Sequence, residues 1–108
     1  TMLRTPCVRL CTLCEGAGLI DFLHIDVQGS ELDIIRNEAE WLGENVRVMM
    51  VATHSRVIEG ETMDLLGRLG WVLKREKPCR FQLDEEPRSS WEGLTQADGA
   101  QHWINPRL

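Results

Sequence analysis

Apolar positions along this chain fall into short runs whose period changes from continuous to helical and back. Ile20, Phe22, Leu23, Ile25 and Val27 make a near-continuous apolar run, the pattern of a strand covered on both faces. Asp26, Gln28 and Gly29 close that run, and the glycine allows a tight turn. Ser30 is a good N-cap, and Leu32, Ile35, Ala39 and Leu42 then recur on one helical face before Gly43, so a helix is predicted from about 30 to 42. Residues 46–52, VRVMMVA, read as a second apolar strand ending at Thr53, His54 and Ser55. A second helix, roughly 59–69, presents Thr62, Leu65, Leu66 and Leu69 inward and stops at Gly70. Residues 71–76 read as a third strand, broken at Pro78. The acidic, turn-rich stretch 84–97 reads as a surface loop, Asp98-Gly99 as a turn, and 100–104 as a last strand. At the amino end, VRLCTL (8–13) alternates weakly, as a short edge strand or the tail of a loop would.

Strand–helix–strand–helix–strand order implies an α/β fold with a parallel sheet and right-handed crossovers. The last strand is reached through a loop without a helix, so it is expected to run antiparallel. Open parallel sheets bind ligands at the carboxyl ends of their strands. Asp26 and Gln28 end one strand, Thr53 and His54 its neighbour, so the four converge on one rim with Ser55 beside them. His54 is the best base candidate, because imidazole titrates near neutrality, and the Asp26 carboxylate is the other catalytic candidate. Gln28, Thr53 and Ser55 are candidate substrate-binding groups. The same positions equally suit a carboxylate that ends a strand and a hydrogen-bonded rim histidine without chemistry. His24, inside a strand, reads as structural, and His102 as partly exposed. Glu31, in the first helical turn, suits the helix dipole.

Composition narrows the classes. The 108 residues bound the chain at one domain, and 43% hydrophobic content argues against disorder. A net charge of −5 provides no basic field for nucleic acid or an anionic membrane surface. No apolar run approaches membrane-spanning length and no signal peptide opens the chain, which points to the cytoplasm. Cys7, Cys11 and Cys14 are clustered and Cys79 is remote. One close pair lacks the counterpart that a zinc site needs, so the four read as reduced thiols and no metal site is expected. Trp41, Trp71, Trp91 and Trp103 are each explained by packing, although Trp91 or Trp103 could line an acceptor pocket.

IDVQGSE, residues 25–31, resembles the IDVEGxE signature of the FkbM-type methyltransferases. The likeness continues through ATHSRVIEGE at 52–61, LGW at 69–71 and DGAQHWINPRL at 98–108, in the family's order. The resemblance implies S-adenosylmethionine as cofactor and a small-molecule or glycan acceptor methylated on oxygen or nitrogen. It implies the carboxyl-terminal half of a Rossmann-like methyltransferase fold, its last strand inserted between the two before it. In that family the donor is held mainly by the other half, through a glycine-rich turn after a first strand. Here EGAG, residues 15–18, precedes a strand and reads as a loop. The chain is therefore expected to be a partial domain that is inactive alone. Its unpaired apolar edge at 20–27 is expected to make a homodimer. Gln28 stands where glutamate is frequent in the family, which leaves it a binding role and no role as base.

Two further classes stay open. Asp26 at a strand end, His54-Ser55 after the next and Lys77-Pro78 after the third loosely resemble a phospho-acceptor receiver domain. A receiver needs an acidic pair near its first strand to hold magnesium, and residues 1–19 contain Glu15 as their sole acid. A catalytically silent interaction module is the other.

Overall fold

A computed structural model describes residues 4, 6–27, 29–91 and 93–108. The elements run α1 (Leu10–Leu13), β1 (Ile20–Ile25), α2 (Glu31–Asn37), α3 (Ala39–Asn45), β2 (Val46–Thr53), α4 (Arg56–Arg68), β3 (Val72–Lys77), β4 (Arg80–Phe81), β5 (Thr95–Ala97) and β6 (Gly99–Ile104). β1, β2, β6 and β3 form one sheet in that order, and β4 pairs with β5 in a two-stranded ribbon. β1 and β2 are parallel, while β6 is antiparallel to both β2 and β3. The expected antiparallel last strand is therefore present, inserted between the second and third strands. No helix among the described residues is long and apolar enough to cross a membrane.

Cross-strand rows explain which face is buried. Met49 lies opposite Leu23 on β1 and Trp103 on β6, and Val51 opposite Ile25 and Gln101. Side chains alternate along a strand, so these rows share one face. With Ile35 and Leu42 from α2 and α3 and Leu66 from α4, they make the core, joined by Trp71. The alternate row, Phe22, Val48, Ile104 and Val72, lies on the other face. Phe22 and Val72 there are 53% and 52% exposed. The run 20–27 is thus not covered on both faces as its composition predicts: β1 is an edge strand with one apolar face open. Continuous hydrophobicity marks a strand that can be covered twice, and in this chain one cover is missing.

Three element boundaries depart from the sequence reading for identifiable reasons. The helix expected over 30–42 is two helices, broken at Glu38, and Gly43 lies inside the second. Glu38 is buried because its carboxylate accepts the backbone N–H groups of Leu10 (2.8 Å) and Cys11 (2.9 Å). That contact gives residues 10–13 the amino-terminal cap of a short helix, so the weak alternation of VRLCTL does not become a strand. The loop 84–97 ends in β5, which pairs with β4 just beyond Pro78. Ser30 makes no side-chain capping bond, whereas Ser55, at the start of α4, accepts from Ile58 N at 3.1 Å.

Two buried polar side chains hold the helices and β6 to the sheet. Asn105 Nδ2 donates to the carbonyls of Gly43 (2.8 Å) and Val46 (3.0 Å), tying the end of β6 to the α3–β2 junction. Glu59 Oε2 accepts from the Thr53 hydroxyl (2.5 Å) and from Cys79 N (2.7 Å), while its carbonyl accepts from Gln101 Nε2 (3.1 Å). Gly99 lies against this group. A Cβ there would sit 2.5 Å from both the Lys77 carbonyl oxygen and Thr53 Oγ1, and would press on the Glu59 carboxylate. Gly99→Ala is therefore expected to destabilise the chain by about 1–3 kcal/mol, the usual range for overpacking. Urea denaturation would measure it, and an unchanged midpoint would refute the close-approach account.

Candidate functional site

Asp26 follows β1 and His54 follows β2. Parallel pairing, with Ile25 opposite Val51, brings both out of the sheet at the same end. His54 Nε2 lies 3.1 Å from Asp26 Oδ1. Two further carboxylates complete the surround: Glu31 Oε1 at 3.1 Å from Nε2, and Asp98 Oδ1 at 3.0 Å from Nδ1. Glu31 is fully buried, and its carboxylate accepts Val27 N (3.1 Å) and Gly29 N (2.9 Å), which fixes the turn between β1 and α2. Gly29, at φ +102°, supplies the left-handed residue that the turn requires. Asp98 arrives because Gly99 pairs with Thr53 on β2, one residue from His54. The Thr95 hydroxyl donates to the His54 carbonyl at 2.6 Å, pinning the backbone from the β5 side.

A carboxylate lies at each ring nitrogen, an arrangement that favours the charged form of the imidazole. Burial of the side chain, 15% exposed, pulls its pKa down, but the hydrogen bond and charge of Asp98, the charge of Glu31 and the hydrogen bond to Asp26 together raise it above 6.5. Asp26 and Asp98 are about half exposed, so the cluster opens to solvent on its carboxylate side. Asp26, Glu31 and His54 each offer one ligand atom, all within 4.8 Å of one another. Two carboxylates and an imidazole could hold a divalent cation in place of the Nε2 proton. The sequence reading named no metal and placed neither Glu31 nor Asp98 in the site.

The remaining expected site residues divide sharply. Thr53 is fully buried and donates to Glu59, and Ser55, 3% exposed, caps α4, so neither reaches the rim as a substrate-binding group would. Strand alternation turns Thr53 inward, and the capping requirement turns Ser55 back on its own helix. Gln28 lies outside the described residues. His24 is exposed on β1, and His102 is half-buried as expected. All four cysteines are free, with Cys79 buried and its thiol pushed up by burial and by the Glu59 carboxylate. Trp71 and Trp103 are buried in the core, whereas Trp91 is 53% exposed.

A sequence model of the methyltransferase FkbM domain matches residues 3–78 of this chain. The chain belongs to the FkbM methyltransferase family. That span holds Asp26, Glu31 and His54, three of the four groups of the cluster, and stops short of Asp98 and β6. Over 73 residues this FkbM-family chain is 38% identical to a protein of Jannaschia sp. (strain CCS1) named "Putative methyltransferase". The aligned stretch is 68% of this chain and 26% of that protein, so the chain spans about a quarter of its relative's length. No solved structure matches the chain.

The charge arrangement sets a pH dependence. A folded-state pKa raised above the unfolded 6.5 stabilises the fold fully below pH 6.5, and that contribution is lost as pH rises through the folded value. Urea unfolding of the wild-type chain and of His54→Gln between pH 6 and 9 should show the largest stability difference at pH 6. That difference should shrink as pH rises. A constant difference would mean that His54 contributes no charge to the fold.

Proposed function

We propose that this chain is the carboxyl-terminal, acceptor-side half of a Rossmann-like methyltransferase that uses S-adenosylmethionine. Its acceptor is a hydroxyl or amine of a small molecule or glycan. The observation that carries this reading is the 3.1 Å contact between His54 and Asp26 at the carboxyl ends of paired parallel strands, in a chain of the FkbM family. The strand order β1-β2-β6-β3, with antiparallel β6 next to the edge, supports the half-fold reading.

S-adenosylmethionine, when bound, supplies an electrophilic methyl group that leaves with its bonding pair remaining on sulfur. The residues of this chain handle the acceptor's proton. The half-exposed Asp26 carboxylate is placed to accept a hydrogen bond from an acceptor hydroxyl. His54, once it has released its own proton, takes the acceptor's proton as the new bond to carbon forms. Asp26, Glu31 and Asp98 stabilise the resulting imidazolium, so base strength and charge neutralisation come from one cluster. Chemistry that starts from neutral imidazole should speed up as pH rises through the raised His54 pKa. The described residues bring no strand followed by a glycine-rich turn before β1, and the open outer edge of β1 supports a donor-binding half pairing there. The 108 residues alone are therefore inactive in this reading.

Two measurements test it. Calorimetric titration of S-adenosylmethionine into the 108-residue chain should show no binding, and appreciable affinity would overturn the half-fold assignment. In a chain that also carries a donor-binding half, His54→Gln should lower kcat by about 10²–10⁴-fold, the usual reach of general acid–base catalysis. Donor affinity should be unchanged, and an unchanged kcat would remove His54 from the proton path.

In the same reading the 108 residues alone, whose β1 edge is not taken by a donor-binding half, form a homodimer through that edge. Phe22 on β1 and Leu19 and Val27 just before and after it are 53%, 49% and 43% exposed. An open strand edge of this kind recruits another strand. Light scattering at high protein concentration should give twice the chain mass, and Phe22→Lys should return it to one. A strictly monomeric wild-type chain would count against the dimer.

A further inference from the structure

Two adjoining hollows at the amino end of α4 share Arg56 as a common wall. The larger, about 700 Å³, is lined mainly by Val57, Phe81, Leu83 and Trp91. That volume falls within the range of small-molecule sites. Leu83 and Trp91 are 64% and 53% exposed, so the lining is apolar surface left open to water. The smaller hollow, about 280 Å³, is walled by Arg56, Lys77 and Arg80 around Cys79. In a chain of net charge −5, none of these three cations takes part in an ion pair among the described residues. The Glu59 carboxylate, which meets the backbone of Cys79 in this hollow, is buried and already engaged by Thr53 and by Cys79 N. Arg56 lies over the Phe81 ring, with its Cζ 4.5 Å from the ring centroid, which orients the guanidinium and leaves its N–H groups available. Arg56 also opens α4, a helix of 13 residues whose positive dipole end lies at the same place.

An apolar, aromatic-walled hollow that joins a smaller one rimmed by three cations, none of them ion-paired among the described residues, suits one kind of ligand. We propose that these hollows bind a small molecule with a flat ring and an anionic oxygen group, phosphate or carboxylate. The ring lies against Phe81 and Trp91, and the anion meets Arg56, Lys77 and Arg80. Within the methyl-transfer reading this molecule is the acceptor, because Ser55 alone separates Arg56 from His54. The binding itself does not depend on that reading.

Calorimetry with 1-naphthyl phosphate, 1-naphthoate, 1-naphthol and inorganic phosphate tests the site without any methyl donor. At least one anionic naphthyl compound should bind about ten- to hundredfold more tightly than 1-naphthol, the worth of a charge-assisted hydrogen bond. It should also exceed inorganic phosphate, and the stronger of the two anions identifies the preferred group. Arg56→Gln should weaken the anionic naphthyl compounds more than 1-naphthol and so reduce that advantage, and Trp91→Ala should weaken every naphthyl compound. Equal binding of 1-naphthol and both anions would overturn the proposal. So would an Arg56→Gln, Lys77→Gln, Arg80→Gln triple variant, folded by circular dichroism, that binds naphthyl phosphate as the wild type does. Neither failure bears on His54, whose test is catalytic.

Discussion

The Glu59 residue, buried one turn into α4, fastens that helix to three pieces of chain at one end of the sheet. It takes the Thr53 hydroxyl at the end of β2 and the amide of Cys79 beyond β3, and its own carbonyl takes Gln101 from β6. A buried carboxylate without partners would be strongly destabilising, so the arrangement holds only with these donors in place. Gly99 makes room for it, since any side chain there would enter the space between Glu59, Thr53 and the Lys77 carbonyl. The antiparallel insertion of β6 follows from that fit. Placement of the rim follows too: Thr53 is the neighbour of His54, and Gly99 is the neighbour of Asp98.

On the rim, buried and exposed charge have different tasks. Glu31 is fully buried and is satisfied by two backbone amides of its own turn before it meets His54. It serves as a fixed negative charge that cannot swing away. Asp26 and Asp98 stay partly in water and can exchange His54 for another partner. An imidazole between one immovable and two movable carboxylates keeps a raised pKa and can still be approached from outside. That suits the proton transfer proposed for His54.

Much of the fold was legible along the chain, and the misses share a cause. β2 and α4 announced themselves through VRVMMVA and through Thr62 and Leu66, because each buries its own pattern against the core. β6 was legible from the alternation after Gly99, although Asp98-Gly99 is not the turn it reads as, since Gly99 already pairs with Thr53 as the first residue of the strand. α1 was misread because its amino-terminal N–H groups are satisfied by Glu38, 28 residues away in sequence from Leu10. The break between α2 and α3 has the same origin, for Glu38 is buried there to serve α1. In the site, Asp26 and His54 were legible from strand ends. Glu31 was passed over because a first-turn glutamate is explained by the helix dipole, and Asp98 because Asp-Gly reads as a turn. The order IDVQGSE places a carboxylate five residues beyond Asp26, and that spacing is the one local signal for Glu31. Thr53 and Ser55 were overvalued because position at a strand end does not say which way a side chain faces.

Local pattern by itself determined the kinds of element, their order and the end of the sheet at which Asp26 and His54 meet. Helical and strand periods arise from each segment's own burial, and parallel neighbours must finish on the same side. Tertiary structure alone decided which carboxylates surround His54, which polar groups turn inward and which strand faces stay open. Those outcomes depend on contacts between residues far apart in sequence, such as Asp26 with His54 and Glu59 with Cys79. Desolvation penalties select such contacts only once the chain has closed around them.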